Sequence, residues 1–309
     1  MTGSILGVGA LFVDTVYMVG DEFLIKNKME KGSVAEIEEE EISALTKTIT
    51  DKGVIAPGGS CANVMRGLAQ LGWKCFLTCK IGNDSFGEYL AEDLLSYNIE
   101  IIHERVPQPS GRIFCFVNEV GERTMRYIPG AKVKSEDLSQ NHFKDKRLVH
   151  IEGYALDYGS IVEEAAAKAR DAKALVSFDL ANYMYVAMYS ERIKKILTAS
   201  VDIVFSNKDE AQELTNLPPR DAAKAISDLC PLAIVTIGDE GCWICKQGEE
   251  PLHFPARKVH VKDTTGAGDL FAVGFLDQYL KGEHLQKCAE LGAELASRVI
   301  QVKGASLKI

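Results

Sequence analysis

A heptapeptide near the carboxyl end, Asp263-Thr264-Thr265-Gly266-Ala267-Gly268-Asp269, has residue types that could transfer a charged group. Apolar residues alternate through 258–262 and take helical spacing after Asp269, which predicts a strand, a glycine turn and a helix. The glycines would leave backbone N–H groups open at the positive end of the helix dipole, where anions bind. Asp269 suits such a site if it faces a hydroxyl that attacks a bound phosphate. The alternative is an ordinary N-cap and tight turn.

A second glycine motif, Pro57-Gly58-Gly59-Ser60-Cys61-Ala62-Asn63, precedes another predicted helix. Paired glycines let a ligand approach the backbone closely. Asn63 can both donate to and accept from a sugar hydroxyl. A Gly-Gly turn with Ser60 as N-cap is the other interpretation. Asp14, an acid among apolar residues, needs hydrogen-bond partners, which are either backbone donors or the hydroxyls of a polyol ligand.

From residue 147 onward, strand-like and helical stretches alternate. This alternation predicts a parallel sheet with helices on both faces, and ligands in such sheets lie beyond the carboxyl ends of the strands. Polar and glycine residues that follow these strands are therefore site candidates: Asp179, Asn182, Asn207, Glu210, Thr236, Gly238 and Gly241.

Two of these groups have alternative interpretations. Asn207 and Glu210, three residues apart at a helix entrance, suit a Mg²⁺ ion that keeps its waters, or they form a capping box. The loop from Thr236 to Gly241 either wraps a nucleotide or turns a hairpin into the next strand.

Two regions depart from the alternating pattern. Residues 22–52 are polar, and 111–118 with 122–127 read as a hairpin. We therefore predict a large α/β domain of residues 1–14, 51–104 and 132–309, which binds the nucleotide and catalyses the reaction. Residues 15–50 and 105–131 are predicted to form a discontinuous small β lid. The lid arginines, Arg112, Arg123 and Arg126, are surface charges, or one of them reaches a phosphate.

Composition narrows the class of protein. The 309 residues carry a net charge of −9, which argues against nucleic-acid and membrane-surface partners. No apolar run reaches the roughly 20 residues that span a bilayer, and no signal peptide precedes the first strand-like run. The eight scattered cysteines are expected to be buried structural thiols. Together these features predict a cytoplasmic protein.

The two glycine motifs resemble the two signatures of the PfkB, or ribokinase-like, carbohydrate kinase family, in that family's order and separation. The resemblance covers essentially the whole chain. Phe12-Val13-Asp14, Gly121-Glu122-Arg123-Thr124-Met125 and Glu152-Gly153-Tyr154 make the chain most similar to the adenosine-kinase-like branch. The resemblance implies a ribokinase-like, doubly wound and mainly parallel sheet with helices on both faces, plus a small β-sheet lid.

The family's residue roles are carried over position by position. Asp269 resembles the base that activates the acceptor, and Gly266, Ala267 and Gly268 resemble its anion hole. The acceptor's hydroxyls would be held by Asp14, Gly58, Gly59 and Asn63. ATP would be bound by Asn182, Asn207, Thr236, Gly238, Gly241 and Thr265. Mg²⁺ would be held, through water, by Asn207 and Glu210, and a monovalent cation such as K⁺ by Asp263.

These roles predict ATP-dependent phosphorylation of the primary 5′-hydroxyl of a ribonucleoside, with adenosine as the first choice. Asp269 should be mainly ionised, because a helix N-terminus lowers a carboxyl pKa. The alternatives are a kinase for ribose, fructose or a related sugar, and a nucleoside-binding regulator without turnover. The segment Asp179–Tyr183 departs from the serine-rich segment of eukaryotic adenosine kinases and leaves the acceptor open. The partners are ATP and a small-molecule substrate, and both a monomer and a homodimer fit the sequence.

Overall fold

The computed structural model describes residues 3–102, 105–302, 304–305 and 308–309. Within those ranges the chain forms fourteen β-strands and eleven α-helices. The strands are β1 (Ser4–Val8), β2 (Phe12–Met18), β3 (Val34–Glu36), β4 (Val54–Pro57), β5 (Lys74–Thr78), β6 (Glu100–Ile101), β7 (Gly111–Val117), β8 (Arg123–Ile128), β9 (Lys146–Glu152), β10 (Leu175–Asp179), β11 (Ile203–Asn207), β12 (Leu232–Thr236), β13 (Cys242–Lys246) and β14 (Leu252–Phe254). The helices are α1 (Asp21–Lys26), α2 (Glu39–Thr46), α3 (Ser60–Gln70), α4 (Ser85–Ser96), α5 (Gln140–Phe143), α6 (Ile161–Asp171), α7 (Tyr183–Ser200), α8 (Lys208–Thr215), α9 (Pro219–Ser227), α10 (Ala267–Leu280) and α11 (Leu285–Val299).

The larger sheet runs β14-β13-β12-β11-β10-β9-β1-β5-β6 across the described residues. Its strands from β12 to β6 pair in parallel, and β13 and β14 add an antiparallel edge. Ile5 and Leu6 are adjacent in β1 and both 0% exposed, yet they pack into two different hydrophobic cores. Because successive side chains point to opposite faces, this sheet is covered on both sides. The predicted doubly wound, mainly parallel sheet is confirmed.

A second sheet, in the order β3-β8-β7-β2-β4, contains the predicted hairpin as β7 and β8. Leu24 and Ile42, from α1 and α2, pack with Phe114, Phe116 and Ile128 to form its own small core. This sheet includes residues 12–14 and 54–57, which we had expected in the large domain. β2 pairs with β7 from its first residue, and β4 pairs along β2. We keep the division into two domains as a proposal, with these two segments moved to the lid.

The strand predicted at 258–262 is wrong. Val261 is 50% exposed, so the alternating apolar residues do not mark a buried face. The amides of Lys262 and Asp263 donate instead to the Ile300 carbonyl, at 2.8 and 3.2 Å, just beyond α11. The end of this segment is therefore hydrogen-bonded to the C-terminus of α11 and not to a neighbouring strand.

All eight cysteines are buried free thiols, as predicted. In the described part of the chain, no helix combines the length and the hydropathy needed to cross a bilayer.

Candidate active site

The N-terminus of α10 forms the centre of the candidate site. Gly266 is its N-cap, with a φ of +76°, and a Cβ there would lie 2.7 Å from the Ala305 Cβ. The first i→i−4 bond of the helix runs from the Leu270 N–H to the Gly266 carbonyl, so the N–H groups of Gly268 and Asp269 precede the helical ladder. A Cβ at Gly268 would meet no heavy atom within 4 Å among the described residues, which leaves room for an anion. The Ala267 N–H is less available than predicted, because it donates to the Thr264 carbonyl at 3.3 Å.

Asp269 joins the two glycine motifs. Its Oδ1 accepts a hydrogen bond from Ser60 Oγ at 2.7 Å, and its Oδ2 accepts one from Asn63 Nδ2 at 2.8 Å. The residues of each pair are more than 200 positions apart in the sequence. Ser60 is therefore a partner of Asp269, and the N-cap of α3 is Gly59. In this structure the Asn63 amide donates to the carboxylate, whereas we expected it to face a substrate hydroxyl.

The pKa of Asp269 is raised above its usual value because its surroundings exclude water. Hydrogen bonds from Asn63 and Ser60 and the charge of Arg66 act in the opposite direction but do not outweigh burial. The expectation of a lowered pKa was wrong, since it considered the helix terminus alone. A raised pKa makes Asp269 a stronger proton acceptor when it is ionised.

Asp14, on β2, has a buried Oδ1 with no hydrogen-bond partner among the described residues. Burial raises the pKa of this carboxyl to about 7, against the opposing charges of Arg66 and Arg123. A Cβ at Gly58 would lie 2.5 Å from the Asp14 carboxyl oxygens, so only glycine fits there. Gly59 has a φ of +101°, and a Cβ there would lie 2.4 Å from the Ala10 carbonyl oxygen. A buried acceptor without a protein donor fits a ligand hydroxyl.

Glu152, at the end of β9, is 1% exposed and anchors the elements around the site. Its Oε1 accepts from the Ala10 N–H at 2.7 Å and its Oε2 from the Cys61 N–H at 2.9 Å. Burial raises its pKa to about 7 despite these two bonds. The sequence pointed to this residue only through the family resemblance, with no role attached. Its one local signal is an acid that ends an apolar strand.

Asn207 and Glu210 form the capping box that was one of their two interpretations. Asn207 Oδ1 accepts from the N–H groups of Asp209 and Glu210 at 2.9 and 3.0 Å, and Glu210 Oε2 accepts from the Asn207 N–H at 2.9 Å. Glu210 is 4% exposed, and burial raises its pKa to about 7. The pKa of Asp179 is also raised, first by burial and then by the charge of Glu210.

A capping box does not preclude Mg²⁺. Among the described residues, no group of three or more histidine, cysteine or acidic side chains is placed to hold a metal directly. Asp179 and Glu210 nevertheless supply oxygen donors whose mutual repulsion a cation would relieve. This donor set fits a Mg²⁺ ion that is bound mainly through its waters.

Five of the six residues predicted to bind ATP follow the carboxyl ends of parallel strands, and the sixth, Thr265, precedes α10. Thr236 ends β12 in register with Asn207, and Asn182 caps α7 by accepting from the Met184 N–H at 2.8 Å. Gly238 has a φ of +65° and no heavy atom within 4 Å of where its Cβ would lie, among those described, so the loop surface is open there. A Cβ at Gly241 would lie 2.0 Å from the carbonyl oxygen of Phe254, which ends β14, so a glycine is required where the turn into β13 passes the end of β14.

Asp263 already has cationic and neutral partners. Its Oδ1 accepts from the Thr265 N–H at 2.9 Å and from Thr265 Oγ1 at 2.6 Å, and its Oδ2 accepts from the Gly304 N–H at 2.9 Å. Arg123 of β8 forms an ion pair with the same carboxylate. These contacts do not fit a monovalent cation at Asp263, because the guanidinium already neutralises it. They also occupy the Thr265 hydroxyl that was predicted to bind ATP.

Similarity to known proteins identifies the family of this chain. The model of the pfkB family carbohydrate kinases matches residues 35–309. The chain belongs to the pfkB family. This pfkB-family kinase is 29% identical to the adenosine kinase of Sinorhizobium meliloti. The two structures superpose with a TM-score of 0.91, and the match covers 100% of this chain and 97% of the other. A probable sugar kinase from Rhizobium etli is 31% identical, with a TM-score of 0.91 and coverage of 100% and 96%. A ribokinase from Mus musculus is 30% identical over 262 residues, which are 80% of this chain and 79% of that one.

Family membership gives the pfkB-family kinase its general activity and confirms the ribokinase-like fold. It is a phosphotransferase that acts on an alcohol group of a carbohydrate or nucleoside and uses ATP.

Proposed function

We propose that this kinase transfers the γ-phosphoryl group of ATP to the 5′-hydroxyl of a ribonucleoside, with adenosine as the preferred acceptor. The observation that carries the proposal is the unpartnered Asp14 Oδ1, which is buried in the glycine motif that also places Ser60 and Asn63 on Asp269. A polyol acceptor would satisfy Asp14 with one hydroxyl and present another to Asp269. Adenosine is favoured by the full-length likeness to the adenosine kinase of Sinorhizobium meliloti.

In the proposed reaction, Asp269 orients the primary hydroxyl and accepts its proton as the bond to phosphorus forms. Its contribution comes late, because the loose transition state of phosphoryl transfer acidifies the attacking hydroxyl. The N–H groups at the start of α10 stabilise charge on the transferred group. Mg²⁺, held through water near Asn207 and Glu210, would neutralise the phosphates. The lid carries Asp14 on β2, so its closure over the acceptor would both bind the substrate and exclude water.

Replacing Asp269 with Asn tests the base directly. The change keeps the size of the side chain and removes its proton-accepting oxygen. We expect turnover to fall by about 10²–10⁴-fold, the usual contribution of an acid–base group, while the affinity for ATP changes little. The measurement is ADP release under saturating Mg-ATP and acceptor. Asp171→Asn, on the exposed end of α6, is the control and should keep full activity. Turnover within threefold of the native enzyme in D269N would disprove the assignment.

The acceptor is tested with a panel of adenosine, inosine, guanosine, cytidine, ribose and fructose. We expect the highest kcat/KM with adenosine, and loss of that turnover in D269N. The second candidate is a free sugar, which the likeness to the Rhizobium etli sugar kinase and the mouse ribokinase favours. Turnover on ribose or fructose alone would replace the nucleoside proposal and keep the mechanism. ATP binding without turnover on any acceptor would favour the regulator.

A further inference from the structure

Arg66 is a buried charge next to the proposed base. It lies on α3, one turn after Asn63, and only 5% of it is exposed. Its Nε donates to Asp93 Oδ2 at 2.6 Å, and its Nη1 donates to Asn63 Oδ1 at 2.9 Å. Its Nη2 has no hydrogen-bond partner among the described residues. Burying an arginine in this way is costly, so its placement calls for an explanation beyond fold stability.

The contacts form a continuous chain, Asp93–Arg66–Asn63–Asp269. An asparagine side chain has one accepting and one donating end. Because the guanidinium can only donate, it requires the oxygen of Asn63 on its own side and thereby turns the NH₂ toward Asp269. A flipped amide would place NH₂ against the guanidinium and an oxygen against the carboxylate. Both contacts would be unfavourable.

We propose that Arg66 is a positioning residue for Asp269: it fixes the orientation of the Asn63 amide and supplies a positive charge next to the proposed base. This inference rests on the proposed role of Asp269. In this role Arg66 acts on Asp269 through Asn63 and through its charge, not as a catalytic residue.

The surrounding charges make such a cation necessary. Three acidic side chains lie close enough to interact electrostatically with Asp269: Asp14 of β2, Glu152 of β9 and Asp179 of β10. The hydroxyl of Tyr154 and the thiol of Cys61 also interact with its charge. After burial, the negative charge of Asp269 is one of the causes that oppose the ionisation of each of these acids. Arg66 is the cation whose charge lowers the pKa of Asp269. Without it, a larger fraction of Asp269 would be protonated at neutral pH and unable to accept a proton.

Arg66→Gln removes the charge, and Arg66→Lys keeps it but loses the two-pronged contact with Asn63 and Asp93. In R66Q the acid limb of the kcat/KM profile for the acceptor should move up by about 1 pH unit, the order expected when a unit charge within about 10 Å is removed. In R66K the limb should stay in place, while kcat falls by about 10-fold or more because the base is misaligned. The KM for ATP should change by less than about threefold in both variants, since neither change removes an ATP contact. An unmoved acid limb in R66Q would overturn the inference.

Two further variants separate this role from a structural one. Arg192→Gln breaks a more exposed arginine–carboxylate pair, with Glu163, which makes no bond to a site residue within the described part of the chain. It should lower the melting temperature and leave the pH profile unchanged. Asp93→Asn removes the acid that neutralises Arg66 and should shift the acid limb to lower pH. The D93N result also tests the inference if R66Q does not fold. A shift to higher pH in D93N would contradict it.

A readout without turnover keeps this test independent of the proposed function. The ¹³C signal of the Asp269 carboxyl, assigned by its absence in D269N, should titrate at higher pH in R66Q than in the native protein. If D269N stays active, the proposed function fails while this titration still decides the role of Arg66. If D269N is inactive and the carboxyl titrates alike in both proteins, only the role of Arg66 fails.

Discussion

Buried carboxyl groups surround the proposed base, and their burial affects the stability of the protein as well as its chemistry. The pKa values of Asp14, Glu152 and Glu210 are each raised to about 7, primarily by burial. An acid whose pKa is higher in the folded than in the unfolded protein binds a proton more tightly when folded. Each such group therefore lowers the free energy of unfolding as the pH rises toward its folded pKa.

Glu152→Gln tests this linkage at one residue. Between pH 4.5, the ordinary value for glutamate, and about 7, Glu152 should reduce the free energy of unfolding as the pH rises. The expected slope is up to about 1.4 kcal/mol per pH unit. In the variant, the dependence of the free energy of unfolding on pH should be smaller by the contribution of Glu152, as measured by urea unfolding at pH 5, 6, 7 and 8 without ligands. Glu136→Gln, on an exposed turn, should retain it. A variant with the same slope as the native protein would show that Glu152 does not titrate in this range.

The candidate site was predictable where residue type alone restricts the chemistry. Asp269 and the glycines of both motifs were chosen as candidates because few roles suit an acid or a glycine pair in those positions, and in the structure the two motifs meet at Asp269. Ser60, Arg66 and Glu152 were not chosen, since their partners lie on distant parts of the chain or depend on side-chain direction. Local sequence reveals a helix terminus but not burial, which is why the pKa shift of Asp269 was predicted with the wrong sign.

At the level of elements, α10 is held in place by close contact with α11. A Cβ at Gly274 would lie 2.6 Å from the Gly292 nitrogen and from the Leu291 carbonyl group. A Cβ at Gly292 would lie 2.9 Å from the Phe271 carbonyl oxygen. At both glycines the two helices therefore pack closely, with the backbone of one against the other. The position of Asp269, on the first turn of α10, depends on this crossing.

Gly274→Ala should disturb that crossing. The neighbouring atoms are backbone and cannot move aside as a side chain could, so we expect a loss of about 1–3 kcal/mol in the free energy of unfolding. Gly20→Ala is the matched control, because nothing described lies within 4 Å of that Cβ, and it should change stability little. Urea unfolding of both variants gives the comparison. A Gly274→Ala protein as stable as the control would mean that the two helices can move apart freely.

Among the elements, the long βαβ alternation and the lid hairpin were predictable because their periodicity reflects burial on both faces or on one. The strand expected at 258–262 was not formed, since alternation without burial does not specify pairing. The pairing of β2 and β4 in the second sheet was not foreseen, because no change in composition marks the point where the chain passes from one sheet to the other.

At the scale of the whole molecule, the ion pair between Arg123 and Asp263 joins the lid to the loop that precedes α10. Arg123 neutralises the carboxylate that was expected to hold a monovalent cation. We therefore expect kcat to change by less than about twofold when K⁺ is replaced by tetramethylammonium at constant ionic strength, since no K⁺ contact at Asp263 is lost. Mg²⁺ is kept constant, and ADP release is measured by a method that needs no K⁺-dependent coupling enzyme. A loss of tenfold or more without K⁺ would show that the ion displaces Arg123 in the working enzyme.

The position of β1 in the larger sheet has a consequence for synthesis on the ribosome. β1 precedes both of its neighbours in the sequence: it pairs with β5 on one side and with β9 on the other, and β9 ends only at Glu152. At about 5–20 residues per second, the ribosome needs on the order of 10 s to translate from the end of β1 to the end of β9. During that interval the apolar strand Ser4–Val8 has an open edge. The nascent chain therefore exposes an interior strand before either of its neighbours exists and completes that strand's pairing only when Glu152 has been made.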